Sequence, residues 1–265
     1  MISSLSIIIP IFNEEKRILE SLFKIRFFLN KIKKKIKIQI IFVDDGSTDN
    51  SILILEQFLK KNKIKNKIIK LKSNLGKGAA LKAGVLKCDY AWILTCDLDM
   101  SVTLHEIIKW QKKKYINDKC NIYFGSRKHK DSIVNAKIYR VILGNFFRFI
   151  VKILLKIKMH DTQCGYKLYK NKIAKKIFKK LKTNKFEHDL EIILNAKQFN
   201  YFIKELPVKW THKTNSKLNI FIDSSKMLYG IILLSLRKKI RANNMFLQIL
   251  KIIINKKIKI RRFYN

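Results

Sequence analysis

In the first half of the chain, hydrophobic residues fall into short unbroken runs rich in β-branched side chains. Between the runs lie longer stretches in which apolar residues recur every three or four positions. The runs Leu5–Ile9, Ile38–Val43, Ile68–Leu71, Tyr90–Thr95 and Ile122–Phe124 predict buried strands. The stretches from about Glu14 to Lys31, Ser51 to Lys61, Gly78 to Leu86 and Thr103 to Tyr115 predict helices. Strict alternation of strand and helix implies an α/β/α three-layer fold around a mainly parallel sheet covered on both faces. In such sheets ligands bind at the carboxyl ends of the strands, so the residues just after each strand carry the chemistry.

The second half reads differently. Ile138–Lys158 predicts a long basic helix, followed by an Asp161–Lys167 loop, a helix from about Asn171 to Leu181, another starting near Asp189, and a strand over Tyr201–Trp210. Residues 216–265 hold twelve Lys and Arg against one acid, Asp223. The expected organisation is a catalytic domain over 1–217 and a basic amphipathic tail over 218–265. No window reaches the roughly 18 apolar residues of a spanning helix. Met227–Leu236 and Met245–Ile254 are the longest candidates, and the apolar start ends at once in Asn13-Glu14-Glu15, unlike a signal peptide.

Composition changes this picture only at the surface. The 58 Lys and Arg against 19 Asp and Glu give a net charge of +39, a field that attracts nucleic acid, anionic lipid or phosphorylated ligands. Lys, Ile and Asn are abundant together and share A/T-rich codons, so base bias supplies a competing cause. The 8 Gly and 2 Pro argue against an all-β fold with many tight turns. Cys88, Cys96, Cys120 and Cys164 show neither CxxC nor zinc spacing and read as reduced cytosolic thiols.

Four strand ends carry the candidate chemistry. The first is Pro10-Ile11-Phe12-Asn13-Glu14, where Asn13 and Glu14 are either polar ligands or the cap of the next helix. The second is Asp44-Asp45-Gly46-Ser47-Thr48-Asp49. Two carboxylates directly after an apolar run are costly without partners, and alternation points one to the crevice and one to the loop. The third, Asn74-Leu75-Gly76-Lys77-Gly78, opens a helix whose N-terminus attracts anions and is neither a Walker A loop nor a GxGxxG fingerprint. The fourth, Asp97-Leu98-Asp99, puts two carboxylates on one face at strand spacing. Those oxygens suit Mg²⁺ or Mn²⁺ bridging to a diphosphate.

Together these segments resemble the family-2 glycosyltransferases that act on polyprenyl phosphates. Gly125-Ser126-Arg127, Asp161–Leu168 and Val208-Lys209-Trp210-Thr211 narrow the likeness to dolichyl-phosphate β-glucosyltransferases and bacterial relatives. The resemblance implies a GT-A type fold and inverting transfer from a UDP-sugar, most simply UDP-glucose, to a polyprenyl or dolichyl phosphate. It places the nucleotide-sugar on Pro10, Phe12, Asn13, Glu14, Asp44, Asp45, Lys77, Gly78 and Asp97, with the metal on Asp97 and Asp99. Asp99 and Asp189 are the expected catalytic acids. Phe12 stands where the family usually has Tyr, and His188-Asp189-Leu190-Glu191 where it has Phe-Asp-x-Glu.

An acceptor phosphate calls for cations. Arg127 and Arg140, with Lys167 and Gln163, are the candidates, Arg being the better bidentate partner. Reaching a lipid calls for a peripheral hold on the cytoplasmic side of an anionic membrane. Arg148, Lys152 and Lys156 recur every four residues beside Phe146, Phe149 and Ile150, the pattern of an interfacial helix, and the tail repeats it. The alternatives are a mannose or N-acetylhexosamine donor, a saccharide acceptor, a processive synthase and a nucleic-acid-binding protein. The synthase needs a QxxRW motif that Gln163-Cys164-Gly165-Tyr166 does not supply. A nucleic-acid binder leaves the strand-end acids unexplained, so no nucleic-acid partner is expected.

Overall fold

The computed structural model describes residues 2–32, 36–62, 64, 66–117, 120–135, 138–185, 187–211 and 227–240, with the side chains of 138–143 left aside. Contacts divide the chain into two units, 1–148 with 158–217 and 149–157 with 218–265. The expected boundary at 217 and 218, and the run Met245–Ile254, lie outside the described residues.

The first unit is built on strands β1 (Ser4–Ile11), β2 (Lys37–Asp44), β3 (Asn66–Lys70), β4 (Trp92–Thr95), β5 (Ile122–Ser126), β7 (Lys167–Lys170) and β8 (Ile203–Pro207). Their order is β3-β2-β1-β4-β7-β5-β8. All pairings are parallel except those of β7, which runs antiparallel between β4 and β5. The fold is therefore α/β with a mainly parallel sheet, as the alternation implied. The unbroken run in β1 is fully explained by burial: Leu5, Ile7, Ile8 and Ile9 are each 0% exposed, as a strand covered on both faces requires. Each such side chain withdrawn from water contributes about 1.5–3 kcal/mol.

Helices α1 (Ile18–Ile32), α2 (Ser51–Lys61), α3 (Lys77–Leu86) and α4 (Glu106–Lys112) follow the first four strands. In α1, Ile18, Leu22, Ile25, Phe28 and Ile32 are buried at three- and four-residue spacing, the stripe that makes this segment a helix on a sheet. Later come α5 (Ile138–Leu155), α6 (Asn171–Lys179) and α7 (His188–Gln198). The strand expected over Tyr201–Trp210 is two strands, β8 and β9 (Lys209–Thr211). β9 pairs in parallel with β6 (Ile133–Asn135), and Trp210 also bridges Val102.

Two features of this order position the site. The chain turns from β1 leftward to β2 and rightward to β4, so a crevice opens between the carboxyl ends of β1 and β4. Because β7 is antiparallel, its first residue pairs at that same edge: Lys167 lies opposite Thr95. The loop 161–166 is thereby delivered to the end of β4.

The second unit contains the end of α5 and a helix over 227–240, here α8. Ser235 Oγ donates to the Leu154 carbonyl at 3.2 Å and Lys238 Nζ to that of Leu155 at 2.7 Å, satisfying carbonyls that a helix end leaves free. Val151, Leu155, Ile231 and Leu234 are buried, while Phe149, Ile153, Leu228, Ile232, Leu236 and Ile240 are exposed beside exposed Lys152 and Lys156. Among the described residues, no helix is long and apolar enough to cross a membrane.

Candidate active site

The loops after β1 and β2 interlock. Asn13, in the left-handed region at φ 54°, donates its N–H to Ser47 Oγ at 3.0 Å, and its side-chain oxygen accepts the Thr48 N–H at 2.8 Å. The Glu14 N–H donates to Ser51 Oγ at 2.6 Å, and its carboxylate pairs with Arg17. Helix α1 begins only at Ile18, so Asn13 is not its cap; its side chain ties two loops together. Pro10 lies in β1 one residue before its end, and Phe12, 36% exposed, stands just beyond it.

The paired aspartates divide their work within the protein. Asp44 accepts the Ser47 N–H at 3.0 Å, closing the turn at Gly46, whose φ is 74°. Asp45 accepts the N–H groups of Leu75 at 2.9 Å and Gly76 at 2.8 Å. Burial raises the Asp45 carboxyl above the ordinary aspartate value; the two backbone donors oppose this and the Asp44 charge adds to it. Asp45 thus fixes the segment that opens α3. Gly76 has φ 106°, and a Cβ there would lie 2.5 Å from the Asn184 carbonyl oxygen. The Gly78 N–H donates to that same oxygen at 2.7 Å, and a Cβ on Gly78 would meet His188 Cβ at 2.7 Å. Gly78 is glycine for packing, and the N–H that the sequence offered to a phosphate is already taken. Lys77 between them faces the crevice.

Asp97 and Asp99 lie beyond the end of β4 in a turn closed by the Met100 N–H on the Asp97 carbonyl at 3.2 Å. Strand alternation is therefore not what brings them together; Met100, at φ 52°, reverses the chain between them and Ser101. Lys77 Nζ stands 2.5 Å from Asp97 Oδ1. A Cβ on Gly165 would lie 2.4 Å from Asp97 Oδ2, so the carboxylate rests on the bare face of that glycine. Thr95 Oγ1 donates to the Gly165 carbonyl at 3.1 Å and holds it there. Asp99 accepts the Ser101 N–H at 2.9 Å. Burial favours a neutral Asp97, but the Lys77 ammonium outweighs it and holds the carboxyl below the usual range. Burial likewise opposes the charge on Lys77, and Asp97, Asp189 and Asp99 together hold it above the ordinary lysine value.

A divalent cation would find two carboxylates here, Asp97 and Asp99. Among the described residues no group of three or more His, Cys, Asp or Glu could hold a metal by itself. Two half-exposed carboxylates supply hard oxygens, and the remaining ligands must come from water or a bound phosphate, as is usual for Mg²⁺ sites.

Asp189, in the first turn of α7, is 6% exposed and pairs with the ammonium of Lys167, itself 2% exposed. His188 Nε2 lies 3.0 Å from the same carboxylate oxygen. Burial pushes the Asp189 carboxyl up, but His188 and Lys167 more than reverse this and hold it far below the usual range. A carboxylate so held is a weak proton acceptor. Lys167, expected against an acceptor phosphate, is sealed into this pair. Glu191, two residues on, accepts the N–H groups of Lys182 at 3.0 Å and Thr183 at 2.7 Å, bracing the loop that carries Asn184.

On the other side of Asp97 lies a small cleft. Its walls include Ser101, Arg127, Gln163, Gly165 and Trp210. Arg127 is forked onto Asp161, with Nε 2.7 Å from Oδ2 and one terminal nitrogen 2.9 Å from Oδ1. The expectation of a bidentate phosphate clamp at Arg127 is corrected: its fork is engaged by Asp161, and the group reaches the cleft with its remaining edge. The guanidinium carbon lies 5.8 Å from the centre of the Trp210 ring. Burial opposes both charges of the pair, yet each holds the other: Arg127 is raised and Asp161 lowered. The Gln163 backbone N–H donates to Asp161 at 3.1 Å, which places its side chain at the cleft wall. Arg140 lies in the first turn of α5, and its side chain lies outside the described structure.

Residues 6–178 match Glycosyl transferase family 2. The chain belongs to that family. It is 33% identical over 242 residues to the dolichyl-phosphate β-glucosyltransferase of Dictyostelium discoideum, covering 88% of this chain and 74% of that one. It is 31% identical over 245 residues to the enzyme of that name from Homo sapiens, covering 88% and 75%. In fold it is similar to glucosyl-3-phosphoglycerate synthase from Mycobacterium tuberculosis crystallised with Mn²⁺ and UDP-glucose. The TM-score is 0.60 at 11% identity, covering 88% of this chain and 78% of that one.

Several residues around the strand-end acids are not marked as neighbours of the site by the sequence. Asp161 lies within the segment that carried the resemblance, yet its pairing with Arg127 spans 34 residues and leaves no local signal. Arg17, drawn toward positive charge by Glu14 and also by Asp99 and Asp97, looks in sequence like an ordinary helix-start base. Trp210 reaches the cleft because Val102 bridges it and the Thr211 N–H donates to the Ser101 carbonyl at 2.9 Å.

Proposed function

We propose that this glycosyltransferase moves glucose from UDP-glucose to a polyprenyl or dolichyl phosphate, inverting the anomeric centre, on the cytoplasmic side of an anionic membrane. The observation that carries the reading is the position of Asp97. It borders Lys77 and Asp99 on one side and the Arg127–Trp210 cleft on the other, so donor diphosphate and acceptor phosphate meet across one carboxylate. The names of the relatives point to the same reaction.

On the donor side, Phe12, Asn13 and Glu14 with Pro10 form the edge against which a nucleoside would lie, above the loop that Asp44 and Asp45 hold. The Lys77 ammonium faces the diphosphate. A Mg²⁺ or Mn²⁺ ion on Asp97 and Asp99, when bound, supplies a Lewis acid that offsets charge on the departing diphosphate. On the acceptor side, the free edge of Arg127 and the Gln163 side chain orient the phosphate, with Arg140 a third candidate.

An oxygen of the lipid phosphate attacks C1 of glucose while the bond from C1 to the UDP oxygen breaks, its electron pair leaving with UDP. One displacement turns an α-linked donor into a β-linked product. A phosphomonoester has a second pKa of about 6, so at neutral pH the nucleophile is largely deprotonated and needs no strong base. This agrees with an Asp189 held as a carboxylate by Lys167 and His188, acting through its charge on Lys77 and Asp97. Membrane contact is assigned to the exposed apolar residues of α5 and α8 with Lys152 and Lys156, helped by the basic tail.

The test is a donor comparison with the full chain, membranes and radiolabelled UDP-glucose, GDP-mannose or UDP-N-acetylglucosamine, followed by organic extraction. Label from UDP-glucose in the lipid phase is expected. Lipid label from either of the other donors alone would replace the assignment.

A further inference from the structure

Two ammonium–carboxylate pairs share the centre of this site, and they differ in one respect that decides what each can do. Lys167 and Asp189 have side chains 2% and 9% exposed; Lys77 and Asp97 are 29% and 40% exposed. A sealed pair is structural, since parting it would strand a charge away from water. A half-open pair can exchange partners. We propose that Lys77 is the resident cation of Asp97 in the ligand-free enzyme. A divalent metal then binds tightly only together with a nucleoside diphosphate that draws the Lys77 ammonium away. This rests on the reading of Asp97 and Asp99 as a metal site.

The geometry supports the exchange from both ends. Lys77 is the first residue of α3, and its backbone is tied on both sides, at Gly76 to Asp45 and at Gly78 to the Asn184 carbonyl. Its neighbour Gly76 is fixed by the Asp45 carboxylate at 2.8 Å and by close approach to the Asn184 carbonyl. Only the flexible four-carbon stem moves, which is the kind of motion a lysine allows. On Asp97, Oδ1 already carries the Lys77 contact and Oδ2 lies over the bare face of Gly165, whose carbonyl Thr95 holds, so a metal that engages this carboxylate approaches the ammonium closely.

A lone divalent ion approaching Asp97 therefore meets an ammonium already on that carboxylate, and the two cations repel. A diphosphate offers the ammonium a second anion within reach of its stem and removes the competition. Metal and nucleotide then raise each other's affinity by the same factor, as linkage requires. Asp45 acquires a reason to be acidic: through Gly76 it fixes the pivot of Lys77.

Electron paramagnetic resonance of free Mn²⁺ reads this directly in titrations of the full chain, without turnover. Wild type, Lys77→Gln and Lys77→Arg are compared, each with and without saturating UDP. Expected is donor-free Mn²⁺ binding about tenfold tighter in Lys77→Gln than in wild type, with Lys77→Arg close to wild type. UDP should tighten Mn²⁺ strongly in wild type and much less in Lys77→Gln. Equal donor-free affinity in wild type and Lys77→Gln, with UDP tightening both alike, would overturn the exchange and leave the metal site standing. No Mn²⁺ binding in any form even with UDP would overturn both.

Discussion

Gly165 touches Asp97 so closely that a single added carbon would lie 2.4 Å from a carboxylate oxygen. The neighbour that must yield is the tip of a side chain, so replacing Gly165 by Ala should cost little stability while turning Asp97 away from its place. Misplacing a reacting group by about 1 Å costs on the order of a hundredfold in rate. Gly165→Ala is therefore expected to lower kcat/KM by about that factor, with a melting temperature near that of wild type. Full activity would mean that the orientation of Asp97 is unimportant.

Asp97→Asn and Asp99→Asn should each lower transfer by on the order of 10²–10³ while leaving the fold intact. Circular dichroism and initial rates with and without EDTA measure this. Wild-type rates in either variant in the presence of EDTA would remove the metal from the account.

The sealed pair of Lys167 and Asp189 answers to a different measurement. Lys167→Met takes from buried Asp189 its direct ammonium partner and should destabilise the protein by about 3–5 kcal/mol; adding Asp189→Leu should recover much of that loss. Urea unfolding separates the outcomes, and a single variant as stable as wild type would show that the pair is not sealed.

Asp161 and Asp189 both have folded-state carboxyl pKa values below those of the unfolded chain. Their contribution to stability is full above the unfolded value of about 3.9 and is lost as pH falls through the folded values. Asp161→Asn should therefore be less stable than wild type at pH 7, with the gap narrowing only below about pH 4. Melting temperatures across pH 2–8 check the sign; a gap that widens in acid would reverse it.

Much of this site was legible because burial writes itself into sequence. The apolar runs ending at Val43 and Thr95 marked strands, and the acids within two residues of their ends had to be explained. What stayed hidden depends on distant partners. The segment Lys167–Lys170 has a lysine at each end of an apolar pair, and nothing local says that Lys167 is buried. Asp189, 22 residues later, makes that burial possible. The antiparallel direction of β7, which brings Gly165 to Asp97, could not be read from a pattern of alternating strands and helices. Arg127 stands out in the sequence just after a strand, but its engagement with Asp161 does not. For that reason Arg127→Lys is expected to lower stability as well as acceptor use, since an ammonium cannot replace a forked pair.

Removal of residues 218–265 takes away α8, including the Ser235 and Lys238 donors to the end of α5. The shortened protein should float poorly with anionic liposomes while retaining UDP binding. The intact chain should be released partly by salt, which screens charge beyond about 8 Å, and fully by detergent. Equal flotation of both forms would leave α5 as the membrane contact.

The most direct test of transfer to a lipid phosphate is ³¹P nuclear magnetic resonance of purified protein with UDP-glucose, Mg²⁺ and a short polyprenyl phosphate in detergent. The account predicts that the phosphomonoester signal is replaced, one for one with UDP released, by a phosphodiester whose anomeric proton shows β coupling. Release of UDP with the monoester signal unchanged, or an α-linked product, would contradict it.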